Sequence, residues 1–347
     1  VKVDELRKEI ENNSLKNVYL VLGEDTYLNN KVKELFWNYI PESDREFNAA
    51  IYDMETTSIA TAIADAISAP FFSEKRLVII THPYFLTGDT KKHSIEQDVN
   101  ELIGYLQNPS PDTLLVVLAS YEKLDSRKKV VKELKSKAEI VNTSSLNESE
   151  IRQYLIKYCD EKKVIIEKRA IDRLIQLTNA NFSKIMNELS KLIIATVNTK
   201  KITISEVDGL VTKSLEQNVF DLVDFVRDKK IKKAFELYHE LLEQKEEPIK
   251  INAILIGQFR LLLQVKILQK HSYDQGSIAS TLKVHPFRVK LAMQNARKFS
   301  NNSLKSAYLG LAEIEEKLKT SSQNPELLFQ LFLTKYAYKK WFFVKKD

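Results

Sequence analysis

The run Val18-Tyr19-Leu20-Val21-Leu22-Gly23-Glu24-Asp25-Thr26-Tyr27 has the order strand, turn, helix at which a nucleotide hydrolase builds its phosphate loop. That chemistry is demanding. Several glycines let backbone N–H groups close around the phosphates, a Lys meets the β- and γ-phosphates, and a Ser or Thr holds magnesium. Here Gly23 is the one glycine of the turn, no loop Lys follows, and Glu24 and Asp25 put negative charge where phosphate would sit. Gly23, Glu24, Asp25 and Thr26 therefore read as a degenerate phosphate loop. The second half of such a site is an acidic residue at the end of a core strand, which holds magnesium and aligns water. The apolar run 77–80 leads instead into Thr81-His82-Pro83. Loss of both halves reads as a nucleotide fold kept without its chemistry, and an unrelated α/β domain would lack them equally.

A second constellation lies just upstream, in Ser68-Ala69-Pro70-Phe71-Phe72-Ser73-Glu74-Lys75-Arg76. Two adjacent large aromatics after a proline cannot both face one core from a regular element, so at least one is expected to protrude. An exposed Phe pair beside a rigid Pro suits a pocket on a partner, because interface energy concentrates in a few buried aromatic anchors. The alternative is that one Phe plugs the seam between sheet and helix and the other is half-buried. Asp125-Ser126-Arg127-Lys128-Lys129 is a basic turn in which Arg127, Lys128 and Lys129 could meet phosphate or a partner; a solvated helix start accounts for the same residues. The 5 His residues show no ligand spacing and Cys159 stands alone, so no metal site and no disulfide framework is expected.

The elements that must position these residues alternate over the first 145 or so positions. Short aliphatic or β-branched runs at 18–22, 47–52, 77–80, 114–118 and 139–141 predict five strands. Near-continuous apolar runs such as Leu77-Val78-Ile79-Ile80 predict a parallel sheet covered on both faces. Helical patterns lie between them at 27–39, 58–67, 95–106 and 127–134, the first and last preceded by Asp25-Thr26 and Asp125-Ser126 as caps. After Leu146 the strand signal stops. Asn147 and Glu150 form a capping box before a helix over 151–159, Ile185, Leu189 and Leu192 share a helix face, and 201–205 reads as a connector. From about 215 the helices lengthen, and 251–268 is apolar on nearly all sides, as the centre of a bundle would be. A helix-turn-helix reader of DNA is the alternative for 278–297.

Composition narrows the class. With 347 residues, 44% apolar and 29% charged, and only 7 Gly and 8 Pro, the chain reads as two or three helix-rich domains and not as a disordered segment. Neither a signal sequence nor a run of 18 apolar residues is apparent, and the tail Trp341-Phe342-Phe343-Val344 is too short to span, so a cytoplasmic location without a membrane is expected. The net charge of +6 permits contact with nucleic acid without demanding it.

In order along the chain, Gly23-Glu24-Asp25, Ala69-Pro70-Phe71-Phe72-Ser73-Glu74-Lys75-Arg76-Leu77-Val78 and Leu124-Asp125-Ser126-Arg127-Lys128-Lys129 resemble the delta-subunit family of bacterial DNA polymerase III clamp loaders. Asn187-Glu188-Leu189-Ser190-Lys191-Leu192, Phe259-Arg260-Leu261-Leu262-Leu263 and His285-Pro286-Phe287-Arg288-Val289-Lys290 extend the likeness over essentially the whole chain. The resemblance implies an AAA+-like α/β domain with a five-stranded parallel sheet over 1–145, a helical lid over 146–212 and an all-α collar over 213–347. It implies a subunit without intrinsic catalysis or cofactor, belonging to a DNA-directed DNA polymerase holoenzyme, that opens the sliding clamp (beta). The implied partners are delta prime and tau/gamma in a hetero-pentameric ring, with primer–template DNA. The family's hydrophobic pair, commonly Leu-Phe, falls on Phe71-Phe72 after Pro70; this chain departs by having Phe first. A divergent, active AAA+ ATPase is the further alternative.

Overall fold

Aliphatic runs too short for helices form the centre of the N-terminal half. In the computed structural model, which describes residues 2–89 and 94–338, they are β1 (Val18–Leu22), β2 (Ala49–Asp53), β3 (Arg76–Thr81), β4 (Thr113–Ala119) and β5 (Glu139–Asn142). Neighbours pair in parallel in the order β2-β3-β4-β1-β5. Around them run α1 (Val3–Glu11), α2 (Thr26–Tyr39), the single turn α3 (Arg45–Asn48), α4 (Ile59–Ile67), α5 (Val99–Gln107) and α6 (Lys129–Lys137).

Because successive strand residues point to opposite faces, the sheet sorts its side chains into two apolar layers. Leu20, Val78, Ile80, Leu115 and Val117 pack with Ile59, Ile63, Leu102, Leu106 and Val131 of α4, α5 and α6. Tyr19, Val21, Ile79 and Val116 pack with Leu6 of α1 and with Val32 and Phe36 of α2. β4, buried along its whole length, is the strand most fully enclosed between them. The parallel sheet covered on both faces is as the apolar runs predict.

Three local expectations change, and one helix is new. The strand expected over 47–52 begins at Ala49, because 45–48 closes a helical turn and leaves Phe47 outside the sheet. The helix expected from 95 starts at Val99, with the Asp98 side chain accepting from Asn100 N. The helix expected from 127 starts at Lys129, and Asp125-Ser126 do not cap it: the cap position is Lys128, which makes no side-chain cap bond. Helix α1 carried no sequence signal that was recognised; its first turn holds Asp4 and Glu5 and only Leu6 is fully buried.

The chain divides into two compact units, Val1–Leu146 and Asn147–Asp347. The second opens with α7 (Glu148–Glu161), β6 (Ile165–Ile166), α8 (Lys168–Leu177), α9 (Phe182–Ala195), β7 (Lys201–Ile202) and α10 (Ile204–Leu210). The capping box at its start is formed as expected, Asn147 accepting from Glu150 N and Glu150 from Asn147 N, each at 3.0 Å. β6 and β7 pair in parallel, which corrects the expectation that strands end at Leu146 and that 201–205 is only a connector.

Among the described residues seven helices follow in this unit: α11 (Leu215–Arg227), α12 (Ile231–Glu243), α13 (Pro248–Lys270), α14 (Gln275–Leu282), α15 (Pro286–Ala296), α16 (Asn301–Thr320) and α17 (Pro325–Tyr338). By length and composition α13, at 23 residues, could cross a membrane. Its Ile251, Leu255, Phe259, Leu262 and Val265 are instead buried in one cluster with residues of α11, α12 and α14 to α17, the central role that its apolar circumference predicts. Lys266 Nζ donates to the carbonyl of Ala296, the last residue of α15, at 2.9 Å and to that of Phe299, three residues beyond, at 2.5 Å. The tail Trp341-Phe342-Phe343-Val344 lies outside the described residues.

Candidate functional site

Gly23 follows β1 with φ +147°, and a Cβ there would meet the Thr143 carbonyl carbon at 2.1 Å and Ser144 N at 2.2 Å. The glycine is therefore required by the close passage of the chain leaving β5. Its N–H donates to Ala119 O at 3.4 Å and Asp25 N to Thr143 O at 3.1 Å, so amides of this turn are used within the sheet's own ends. Asp25 caps α2, its Oδ1 accepting from Leu28 N at 2.9 Å. Burial pushes the Asp25 carboxyl above its ordinary range, against the Leu28 and Tyr27 amides that favour its charged form.

Asn29, one turn into α2, is buried and fills the space behind the loop. Its Nδ2 donates to Gly23 O at 2.9 Å and Ser120 Oγ at 3.2 Å, and its Oδ1 accepts from Thr143 Oγ1 at 2.7 Å. Glu24 and Thr26 remain exposed at the surface of the turn. The arrangement ties β1, β4 and β5 together and keeps a buried carboxyl at the helix start.

Sequence spacing suggested no metal-ligand set, yet the ends of β2 and β3 bring ligand atoms of Asp53, Glu55 and His82 within 4.8 Å of one another. His82 Nδ1 lies 3.0 Å from Asp53 Oδ2, and both side chains are substantially exposed. Carboxylates do stand beside the end of β3, supplied by the neighbouring strand. Three strand spacings separate β2 from β1, about 14 Å, so these groups are remote from the Gly23 turn.

The loop between α4 and β3 is tethered at both ends. An ion pair joins Arg76, the first residue of β3, to Asp65 of α4, and both side chains are largely buried. Lys75 Nζ donates to Pro111 O at 2.7 Å. Between these ties Phe71 is 54% exposed and Phe72 93% exposed, and Phe72 has a left-handed φ of +49°. Both aromatics thus protrude. Their rings meet edge-on with centroids 4.6 Å apart, and the Phe47 ring centroid lies 5.3 Å from that of Phe71. Asn48, only 1% exposed, holds the Phe71 backbone: Phe71 N donates to its Oδ1 at 2.6 Å and its Nδ2 donates to Phe71 O at 2.9 Å. Sequence reading singled out Pro70, Phe71 and Phe72 as the candidate contact; Phe47 and Asn48, over 20 residues upstream, carried no signal that placed them beside it.

The basic turn is mostly engaged with its own surroundings. Arg127 bonds both carboxyl oxygens of Asp125, at 2.9 and 2.8 Å, and holds that carboxyl down to about 2. Lys128 Nζ donates to Phe85 O at 2.9 Å. Lys129 is exposed at the first position of α6.

The pair α14 and α15 does form, separated by Lys283 in left-handed conformation. However, α15 buries Phe287, Val289, Ala292 and Ala296, Lys290 Nζ pairs with Glu148 Oε2 at 2.9 Å, and Pro286 and Gln294 are its exposed residues. A helix that reads bases needs a row of exposed polar side chains. This one does not present it.

Comparison with known proteins agrees with the geometry. Models of the DNA polymerase III delta subunit match residues 19–144, and of its C-terminal domain residues 216–336; a middle-domain model matches 147–209. The DNA polymerase III subunit delta of Bacillus subtilis (strain 168) is 40% identical over 327 residues, 94% of each chain. A probable subunit delta of Aquifex aeolicus (strain VF5) is 26% identical over 322 residues, 91% of this chain and 90% of its own. The solved structure of the Bacillus subtilis DNA clamp loader delta protein superposes with a TM-score of 0.74 at 39% identity, covering 96% of this chain and 99% of that one. With a five-stranded parallel-sheet unit, a helical remainder and these matches along nearly its full length, the chain belongs to the DNA polymerase III delta subunit family.

Proposed function

We propose that the chain grips a ring-shaped sliding clamp and favours its open form during replication in the cytoplasm, hydrolysing no ATP itself. The observation that carries this reading is the aromatic pair: a 93%-exposed Phe in left-handed conformation, beside a second half-exposed Phe, on a loop tied down at both ends. A soluble fold gains nothing by presenting such a side chain to water, whereas a pocket on a partner gains a rigid anchor. A ligand shifts an equilibrium only by its differential affinity for the two states, so Phe71 and Phe72 must fit the open clamp better than the closed one. The Gly23 turn supports the absence of hydrolysis, since its amides serve the sheet and Asp25 presents a carboxyl.

On this reading the division of labour is three-fold: residues 1–145 carry the clamp contact, 146–212 form a lid and 213–347 a collar. The collar packs beside delta prime and tau/gamma subunits, whose nucleotide-driven changes decide when the loop is exposed. Lys129 is the residue of the basic turn best placed to meet primer–template DNA, because Arg127 and Lys128 are engaged.

The test measures clamp affinity and the unfolding midpoint of the free chain for Phe71→Ala and Phe72→Ala. Phe72→Ala is expected to weaken clamp binding by roughly a hundredfold, as removal of an aromatic anchor does, with the midpoint nearly unchanged. Phe71→Ala should lose less affinity and more stability, because its ring packs on Phe47. Undiminished clamp binding by both variants would sink the proposal.

A further inference from the structure

The left-handed region is strained for a side chain as large as phenylalanine, so Phe72 stays there only if its neighbours are fixed. Phe71 is fixed on both of its backbone polar groups by a single side chain. The Asn48 amide accepts from Phe71 N at 2.6 Å and donates to Phe71 O at 2.9 Å, pairing with it as an adjacent strand would, and its second Nδ2 bond goes to Asp44 O at 3.2 Å. Asn48 immediately precedes Ala49, where β2 begins its parallel register with β3 at Leu77. The sheet thus sets where the amide stands, and the amide sets where Phe71 and Phe72 stand.

We propose that Asn48 is the positioning residue of the aromatic pair, holding Phe72 in the protruding conformation before a partner arrives. Only a side chain with donor and acceptor side by side can do this: aspartate lacks the donor and leucine lacks both. The Phe47 ring supports Phe71 from the same turn. A loop held in its bound form avoids an ordering penalty on association, so the benefit appears as affinity.

This inference rests on the reading of Phe71 and Phe72 as the clamp contact, and its test separates the two. Clamp affinity is measured on the full chain for Asn48→Ala, Asn48→Asp, Phe72→Ala and the double variant Asn48→Ala with Phe72→Ala, with hydrogen exchange at the Phe71 amide in the free chain. Asn48→Ala is expected to lose roughly tenfold in affinity and to speed exchange at Phe71. Asn48→Asp, of the same shape, keeps the acceptor but sets a carboxylate oxygen against Phe71 O, and should match it; it also serves if the alanine variant folds poorly. In the double variant the Asn48 change should add less than it costs the parent, because the protruding Phe72 ring is gone and only Phe71 is left to position. A folded Asn48→Ala or Asn48→Asp with parental affinity, a full extra tenfold loss in the double variant, or unchanged Phe71 exchange would overturn the assignment. If Phe72→Ala binds the clamp like the parent, the clamp reading itself fails, and the exchange measurement alone decides whether Asn48 holds the loop.

Discussion

An alanine at position 23 would set its Cβ 2.1 Å from the Thr143 carbonyl carbon, and both of the nearest groups, Thr143 and Ser144, are backbone that cannot turn aside. With φ at +147° added, Gly23→Ala is expected to destabilise the chain by about 3 kcal/mol. Gly104, within α5 and with nothing inside 4 Å of its added Cβ, is the control: Gly104→Ala should gain about 0.5–1 kcal/mol. Urea unfolding of the two variants measures both, and a Gly23→Ala chain as stable as the parent would contradict the close passage of β5. From sequence alone Gly23 reads as part of a degenerate phosphate loop. The structure supplies its present reason, contact with a residue 120 positions later, which no local pattern encodes. Asn48 was illegible for the same cause: the run 47–52 reads as a strand that includes it, and its partner is 23 residues away.

At the scale of elements, α12 and α17 are joined by His239 Nδ1 and Glu326, with Glu243 at 3.5 Å from the other ring nitrogen. The Glu326 hydrogen bond raises the His239 pKa in the folded chain above its ordinary value. A raised folded pKa stabilises most below the unfolded value, about 6.5, and that contribution is lost as pH rises through the folded pKa. His239→Gln should therefore lower the unfolding midpoint more at pH values below about 6 than at pH 8 and above. Equal losses at both would remove the ion pair from the account, and an NMR titration of His239 reads the raised pKa directly. Strong periods made most elements legible: α9 presents Ile185, Leu189 and Leu192 on one buried face, and β4 is continuously apolar. The misses are elements whose signal is too short or too polar. β6 has two residues, and its pairing with β7 exists only in three dimensions. In α1 charged residues dominate, and one buried leucine does not make a visible stripe.

For the molecule as a whole, 53 Lys and Arg against 47 Asp and Glu leave a modest +6, and many of those cations are held in ion pairs. The isolated chain is therefore expected to bind duplex DNA weakly and without sequence preference, losing at least about tenfold between roughly 50 and 200 mM salt. Magnesium-ATP should give no stoichiometric heat in calorimetry. A DNA site that survives high salt, or micromolar ATP binding, would move the chain from clamp gripping toward a regulator or an ATPase. The strand order has a different consequence, in time. β1 sits between β4 and β5, and its partner Leu115 follows Val18 by almost a hundred residues. As the chain leaves the ribosome, at about 5–20 residues per second, β1 waits several seconds with both edges open before a partner exists. The interval before β4 emerges is when the nascent chain is most open to wrong pairings, and the polar residues Asn12, Asn13, Ser14, Lys16 and Asn17 flank β1 where gatekeepers against such pairing commonly stand.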